Sequence, residues 1–202
     1  MDRSADFDYF ANDYIAGGAD DDQIFGQLGN DTIQGDGSIS LSVGASRSIG
    51  TLVVQVSQED FAGKGSDGDD YIEGNGGNDV IFGGLAQEDI VGGSSNLSSF
   101  ASASQRPDGA DIILAAQGRT SPATIMAMPP RTEAAPMRTI NHGRDADMIL
   151  GDNSNIFRLV LAGFPNSAST YLSFNYDDAY TLGPQMVVRA AQLLDCTPGG
   201  PD

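Results

Sequence analysis

Aspartates Asp13, Asp22 and Asp31 stand at a regular interval, and each is followed two positions later by an isoleucine: Ile15, Ile24 and Ile33. The same register returns at Asp70 and Asp79, with Glu88 in the next acid position and Ile72, Ile81 and Ile90 behind the three. Two solitary copies follow, PDGADIIL with Asp111 and Ile113, and GRDADMILGD with Asp147 and Ile149. Glycine recurs in phase, as Gly17 and Gly18, Gly26 and Gly29, Gly65 and Gly68, Gly74 and Gly77, Gly83 and Gly84. Carboxylates this dense repel one another unless a cation lies among them. Calcium is the best match, because it takes roughly six to eight oxygens in irregular geometry, from carboxylates and backbone carbonyls alike. Magnesium holds a stricter octahedron and keeps its waters. Zinc would need His or Cys, of which the chain has only His142 and Cys196.

The elements that must position these acids follow from the glycines and the isoleucines. A glycine-rich stretch makes a tight turn, since glycine accepts positive φ without a Cβ penalty. The three residues centred on each isoleucine are too few for a helix and are expected as a brief strand, its middle side chain inward and its neighbours outward. A β-branched residue suits that position. Two units then close one coil, and units two apart stack on the same side. Asp13 is expected above Asp31, with carboxylate and carbonyl oxygens lining the gap between layers. The candidate metal ligands are the acids Asp13, Asp22, Asp31, Asp70, Asp79, Glu88, Asp111 and Asp147, with Gly18, Asp20, Gly29, Gly68 and Gly77 in the turns. Glu88 is longer than aspartate, and Asp111 and Asp147 have no neighbouring unit in the sequence. A merely solvated acidic face would not lock its acids in phase with glycine and isoleucine.

The units GQLGNDTIQ (26–34) and GNGGNDVIF (74–82), with the more divergent GGADDDQIF and GGLAQEDIV, resemble the glycine- and aspartate-rich nonapeptide of RTX (repeats-in-toxin, hemolysin-type) calcium-binding proteins. The resemblance implies an all-β fold, a parallel β-roll or β-helix, and calcium as the bound ion. It also implies secretion, in bacteria by the type I route, and a chain that is a segment of a large RTX protein.

The rest of the sequence bounds these expectations. The chain has 202 residues, 28 acidic and 10 basic, for a net charge of −18. That balance argues against nucleic acid and anionic membranes as partners and for cations. No apolar run reaches the roughly 20 residues of a transmembrane helix, and the opening MDRSADFDYF does not have the form of a Sec-type signal peptide. One cysteine allows no internal disulfide. Catalysis is not expected. HExxH and Walker motifs are absent, and a Ser-His-Asp arrangement would have to use His142, which lies at the edge of the Pro-rich stretch in a chain with no nucleophile elbow. The alternatives are an accessory repeat region of a secreted hydrolase, or of a surface adhesin whose inserts contact a cell-surface or glycan partner.

Along the chain, the repeats are expected over residues 8–93, interrupted at 38–64 by a β-hairpin with strands in SISLSV and TLVVQV and its turn in GASRSIG. If the coil closes around that insert, Asp22 faces Asp70 and Asp31 faces Asp79; otherwise two short blocks stand apart. Residues 94–151 hold a polar linker and degenerate repeats. Within them the Pro- and Met-rich stretch 115–141 is either a flexible insertion or a passage translated out of frame. Residues 152–202 are expected to be β-rich and to cap the coil, with strands in NIFRLVLAGF and TYLSFNYDDAY and a strand or short helix in MVVRAAQLLD.

Overall fold

The computed structural model describes residues 10–40, 43–48, 51–55, 68–84, 86–116, 146–160, 171–174 and 185–195. Gly65, His142, Cys196 and the Pro- and Met-rich stretch beyond Ala116 lie outside them, as does most of 161–184.

Each isoleucine unit forms a short strand: β1 (Tyr14–Gly18), β2 (Gln23–Phe25), β3 (Thr32–Asp36), β6 (Tyr71–Glu73), β7 (Val80–Gly84), β8 (Asp89–Val91), β9 (Ile112–Ala116) and β10 (Met148–Leu150). The chain alternates between two four-stranded parallel sheets, ordered β1-β3-β7-β9 and β10-β8-β6-β2. This is a parallel β-roll. The register is set by the isoleucines, Ile15 beside Ile33, Ile81 and Ile113 in one sheet, and Ile24 beside Ile72, Ile90 and Ile149 in the other. A slip of one residue would turn every isoleucine outward. Ile24, Ile33, Ile72, Ile81 and Ile90 form the core, with Ile15 and Ile113 packed against it. Ile149, in the edge strand, is 43% exposed.

The coil is continuous across its interruptions. β2 pairs directly with β6 and β3 with β7, so the chain departs after Gly37 and is back in phase by Gly68. Asp111 and Asp147, solitary in the sequence, are not solitary in space. β9 pairs with β7, and β10 with β8, which adds both degenerate units to the stack.

The inserted hairpin differs from expectation in its bounds. Its strands are β4 (Gly44–Ser48) and β5 (Thr51–Gln55), paired antiparallel from Gly44↔Gln55 to Ser48↔Thr51. Residues assigned to the turn thus form the first strand, and only positions 49 and 50 separate the two. The tight connection completes a five-residue ladder that the longer turn would have forfeited. Every residue of β5 is exposed, so no buried face fixed the pattern that the sequence reading relied on.

Beyond β10 the strands are β11 (Ser154–Arg158), β12 (Ser173–Phe174), β13 (Met186–Val187) and β14 (Arg189–Leu193), paired antiparallel as β11-β14 and β12-β13. They meet the coil through β8. Asp89 forms ion pairs with Arg158 Nε at 2.6 Å and Arg189 Nε at 2.5 Å, and Arg189 donates to the carbonyls of Gln87 and Ala146. Arg106, almost fully buried, makes a two-pronged bond to Asp195 at 2.6 and 2.9 Å. Planar guanidinium–carboxylate pairs of this kind fix orientation as well as contributing energy.

Candidate metal centre

The strand register brings the predicted acids together in two rows. In one, the Asp13 N–H donates to Asp31 Oδ1, Asp31 N–H to Asp79 Oδ1 and Asp79 N–H to Asp111 Oδ1, each at 2.8 Å. In the other, Asp22 N–H donates to Asp70 Oδ1 at 2.9 Å, and Glu88 N–H to Asp147 Oδ1 at 3.2 Å. Each such aspartate therefore stands one layer from the residue it supports, with one oxygen committed to the backbone.

The second oxygen is the informative one. Oδ2 of Asp22, Asp31, Asp70, Asp79 and Asp111 is buried without a hydrogen-bond partner, as are both oxygens of Glu88. Asp31, Asp70, Asp79 and Glu88 are at most 1% exposed. A buried, unpaired carboxylate is costly, and native structures meet it with a cation, a donor or a proton. The chain's own cations are elsewhere: the ion pairs among the described residues engage Asp69, Asp89 and Asp195.

Each of the five orphaned Oδ2 atoms shares a small space with a backbone carbonyl, and a glycine leaves that space open. A Cβ on Gly26 would lie 2.6 Å from the Gly74 carbonyl oxygen and 2.7 Å from Asp31 Oδ2. The arrangement repeats at Gly17 (Gly35 carbonyl, Asp22), Gly35 (Gly83 carbonyl, Asp70), Gly74 (Gly92 carbonyl, Asp79) and Gly92 (Gly151 carbonyl, Asp111). These are cradles of oxygen between successive layers, and a side chain would fill them. Among the described residues no three His, Cys, Asp or Glu side chains gather as a metal-binding group. A cation here would take much of its coordination from carbonyls, which suits calcium and does not suit zinc.

The turn residues named from the sequence occupy a different flank. Gly29 (φ 148°) and Gly77 (φ 142°) are in a conformation that strains other residues. The Gly29 carbonyl faces Gly77, the Gly77 carbonyl faces Gly109, and the Asp20 carbonyl faces Gly68, too closely for any Cβ. The Gly18 carbonyl accepts from Gly37 N–H at 3.2 Å. The carbonyls beside the orphaned oxygens belong instead to Gly35, Gly74, Gly83, Gly92 and Gly151. They are not among the turn residues expected from the motif, although glycine at the head of a unit is the signal that marks them. Gly35, Gly92 and Gly151 escaped notice because they begin units that break off into insertions or the C-terminal segment.

Burial pushes Asp70 up to about 7, with the Asp22, Asp21 and Asp69 carboxylates adding to the rise against the lowering backbone bond. Burial likewise pushes Asp79 up to about 7, with Asp111, Asp31 and Asp108 around it. Asp31 and Asp111 are raised, again chiefly by burial. Glu88 is raised by burial and then by the adjoining Asp147 carboxyl. Every shift has the sign expected of acids crowded together with no positive charge between them.

Residues 10–38 and 64–96 match the RTX calcium-binding nonapeptide repeat family, in four copies. Both stretches lie within or beside the coil. No curated protein and no solved structure matches the chain. Among the described residues no helix is long and apolar enough to cross a membrane.

Proposed function

We propose, on the premise that residues 10–38 and 64–96 are RTX calcium-binding nonapeptide repeats, that this chain is a secreted module whose folding is coupled to calcium and which has no catalysis of its own. The observation that carries this reading is the set of buried, partnerless Oδ2 atoms, each beside a carbonyl in a glycine-lined gap. The proposed ligands are Asp22, Asp31, Asp70, Asp79 and Asp111 through Oδ2, with the carbonyls of Gly35, Gly74, Gly83, Gly92 and Gly151. Asp13 and Asp147 close the ends of the two rows. Bound calcium supplies the positive charge that the layers lack.

The chain's part in the mechanism follows from its charge and its short strands. With little calcium, strands of two to five residues cannot offset the ordering entropy together with carboxylate repulsion, and the chain stays expanded. With abundant calcium the folded form alone presents the assembled cradles. Each site filled at ten times its dissociation constant favours that form by about 1.4 kcal/mol. Several such sites amount to a large part of the stability of an ordinary domain. A cytoplasm poor in calcium and an exterior rich in it would then favour export of an expanded chain and folding after it emerges.

The test is far-ultraviolet circular dichroism during a calcium titration from chelator. The expected result is a disordered spectrum in chelator and a cooperative gain of β-structure with calcium. An equally folded chain in chelator would contradict the coupling.

A further inference from the structure

Glu88 stands apart from the other acids in the two rows. Asp31, Asp70, Asp79 and Asp111 each commit Oδ1 to a backbone N–H of the neighbouring layer and hold back only Oδ2. Glu88 accepts nothing from the neighbouring layer with either oxygen, although it is 0% exposed, and its carboxyl meets the carboxyl of Asp147 instead. No hydrogen bond joins the Asp70 N–H to either oxygen of Glu88, so the ladder skips that rung. Across the next gap its own N–H donates to Asp147 Oδ1 at 3.2 Å, longer than the 2.8–2.9 Å of the aspartate rungs, and its carboxyl adjoins that of Asp147. Arg158 and Arg189 reach the flanking residues but are engaged there by Asp89 and by the Gln87 carbonyl. A fully buried carboxyl that takes no donor from the layer below and faces a second carboxyl holds a proton between the two when calcium is absent, and it has the form of a two-oxygen ligand to a cation that displaces that proton.

We infer that Glu88 binds calcium through both oxygens, in a site shared with Asp147 between β8 and β10, and that this is the tightest site of the roll. The inference rests on the calcium reading above and adds a hierarchy to it. Affinity in oxygen sites is tuned by the number and charge of the ligands, and a bidentate glutamate is a recurrent calcium ligand. The aspartate cradles offer one carboxylate oxygen from the lower layer, whereas this gap offers two. Filling it also relieves two desolvated oxygens at once. The roll would therefore load first at the unit whose sequence, GGLAQEDIV, departs furthest in its acid position.

The test is isothermal titration calorimetry of the full chain with calcium chloride, for wild type, Glu88→Gln and Glu88→Asp. We expect Glu88→Gln to lose the tightest phase and one equivalent of bound calcium. Glu88→Asp should keep the stoichiometry while weakening that phase by at least about tenfold. Unchanged tight binding in Glu88→Gln, or tighter binding in Glu88→Asp, overturns the proposal while leaving calcium-coupled folding intact. A wild type that takes up no calcium overturns both. Infrared spectra of wild type carrying ¹³C-carboxyl glutamate keep the question open to measurement even if the variants do not fold, since the chain has only four glutamates. A calcium-dependent narrowing of the gap between the symmetric and antisymmetric carboxylate bands, complete at the first equivalent, is expected. No change in the glutamate bands would contradict bidentate ligation.

Discussion

At the residue scale, Asp31, Asp70, Asp79 and Asp111 each divide their work. One oxygen receives a backbone N–H from the adjacent layer and the other is left for a cation. Asp79→Ala removes both functions, and we expect the calcium midpoint for folding to rise about tenfold, equivalent to about 1.4 kcal/mol, as read by circular dichroism. Asp31→Ala should behave alike, since its environment repeats that of Asp79. Protons compete for the same oxygens. Asp70 and Asp79 are held near 7 in the calcium-free fold, against about 3.9 for an unfolded aspartate. The folded form thus binds more protons than the unfolded form between those values, so the stability they contribute is present at low pH and lost as pH rises through about 7. In chelator, β-content should increase on acidification from pH 8 to pH 5, whereas calcium affinity should fall over the same range. A chelated chain that loses structure on acidification would contradict this sign. Ala86 supplies a third residue-level test. It takes a position that glycine holds in Gly29 and Gly77, and its φ is 118°. Ala86→Gly should raise the stability of the calcium-loaded fold by about 1 kcal/mol, measured by thermal denaturation.

At the scale of elements, the nonapeptide is a unit of turn and strand that has no stability alone and gains it by stacking. The insertions show how little the stack depends on chain continuity. Gly37 and Gly68 occupy successive positions of one unit, with the hairpin looped out between them. Excision of residues 38–67, joining Gly37 to Gly68, restores an unbroken nonapeptide. Calcium-induced β-structure should survive it with full amplitude, and a shortened protein that no longer responds to calcium would contradict the continuous coil. This was partly legible in advance, because the isoleucine phase allowed the pairing of β2 with β6 and of β3 with β7 but left two separate short blocks open as the alternative, and the pairing is what forms. The hairpin's own bounds were not legible. Alternation in SISLSV marks a strand only if one face is buried throughout, whereas Ile39 is 74% exposed, Val43 is buried and the strand begins at Gly44. Asp111 and Asp147 looked isolated because sequence distance hides the layers that β9 and β10 join. The glycine carbonyls beside the orphaned oxygens were obscured for a related reason. The motif marks where glycine is needed, and only the stack reveals whose carbonyl fills the space a Cβ would have taken.

At the scale of the whole molecule, a net charge of −18 is tolerable in an expanded chain and costly in a compact one. The roll concentrates that cost between its layers. The C-terminal strands answer it locally by directing Arg158 and Arg189 onto Asp89, a pairing that composition could not foretell because two arginines distant in sequence converge on one buried acid. The interlayer gaps have no such answer from the chain itself, and the central claim is that calcium lies in them. The most direct measurement is anomalous diffraction from crystals of the calcium-loaded protein in which terbium replaces calcium. Peaks are expected in the glycine-lined gaps beside Oδ2 of Asp22, Asp31, Asp70 and Asp79. Peaks confined to solvent-facing acids such as Asp20 and Asp21, with those gaps empty, would contradict it.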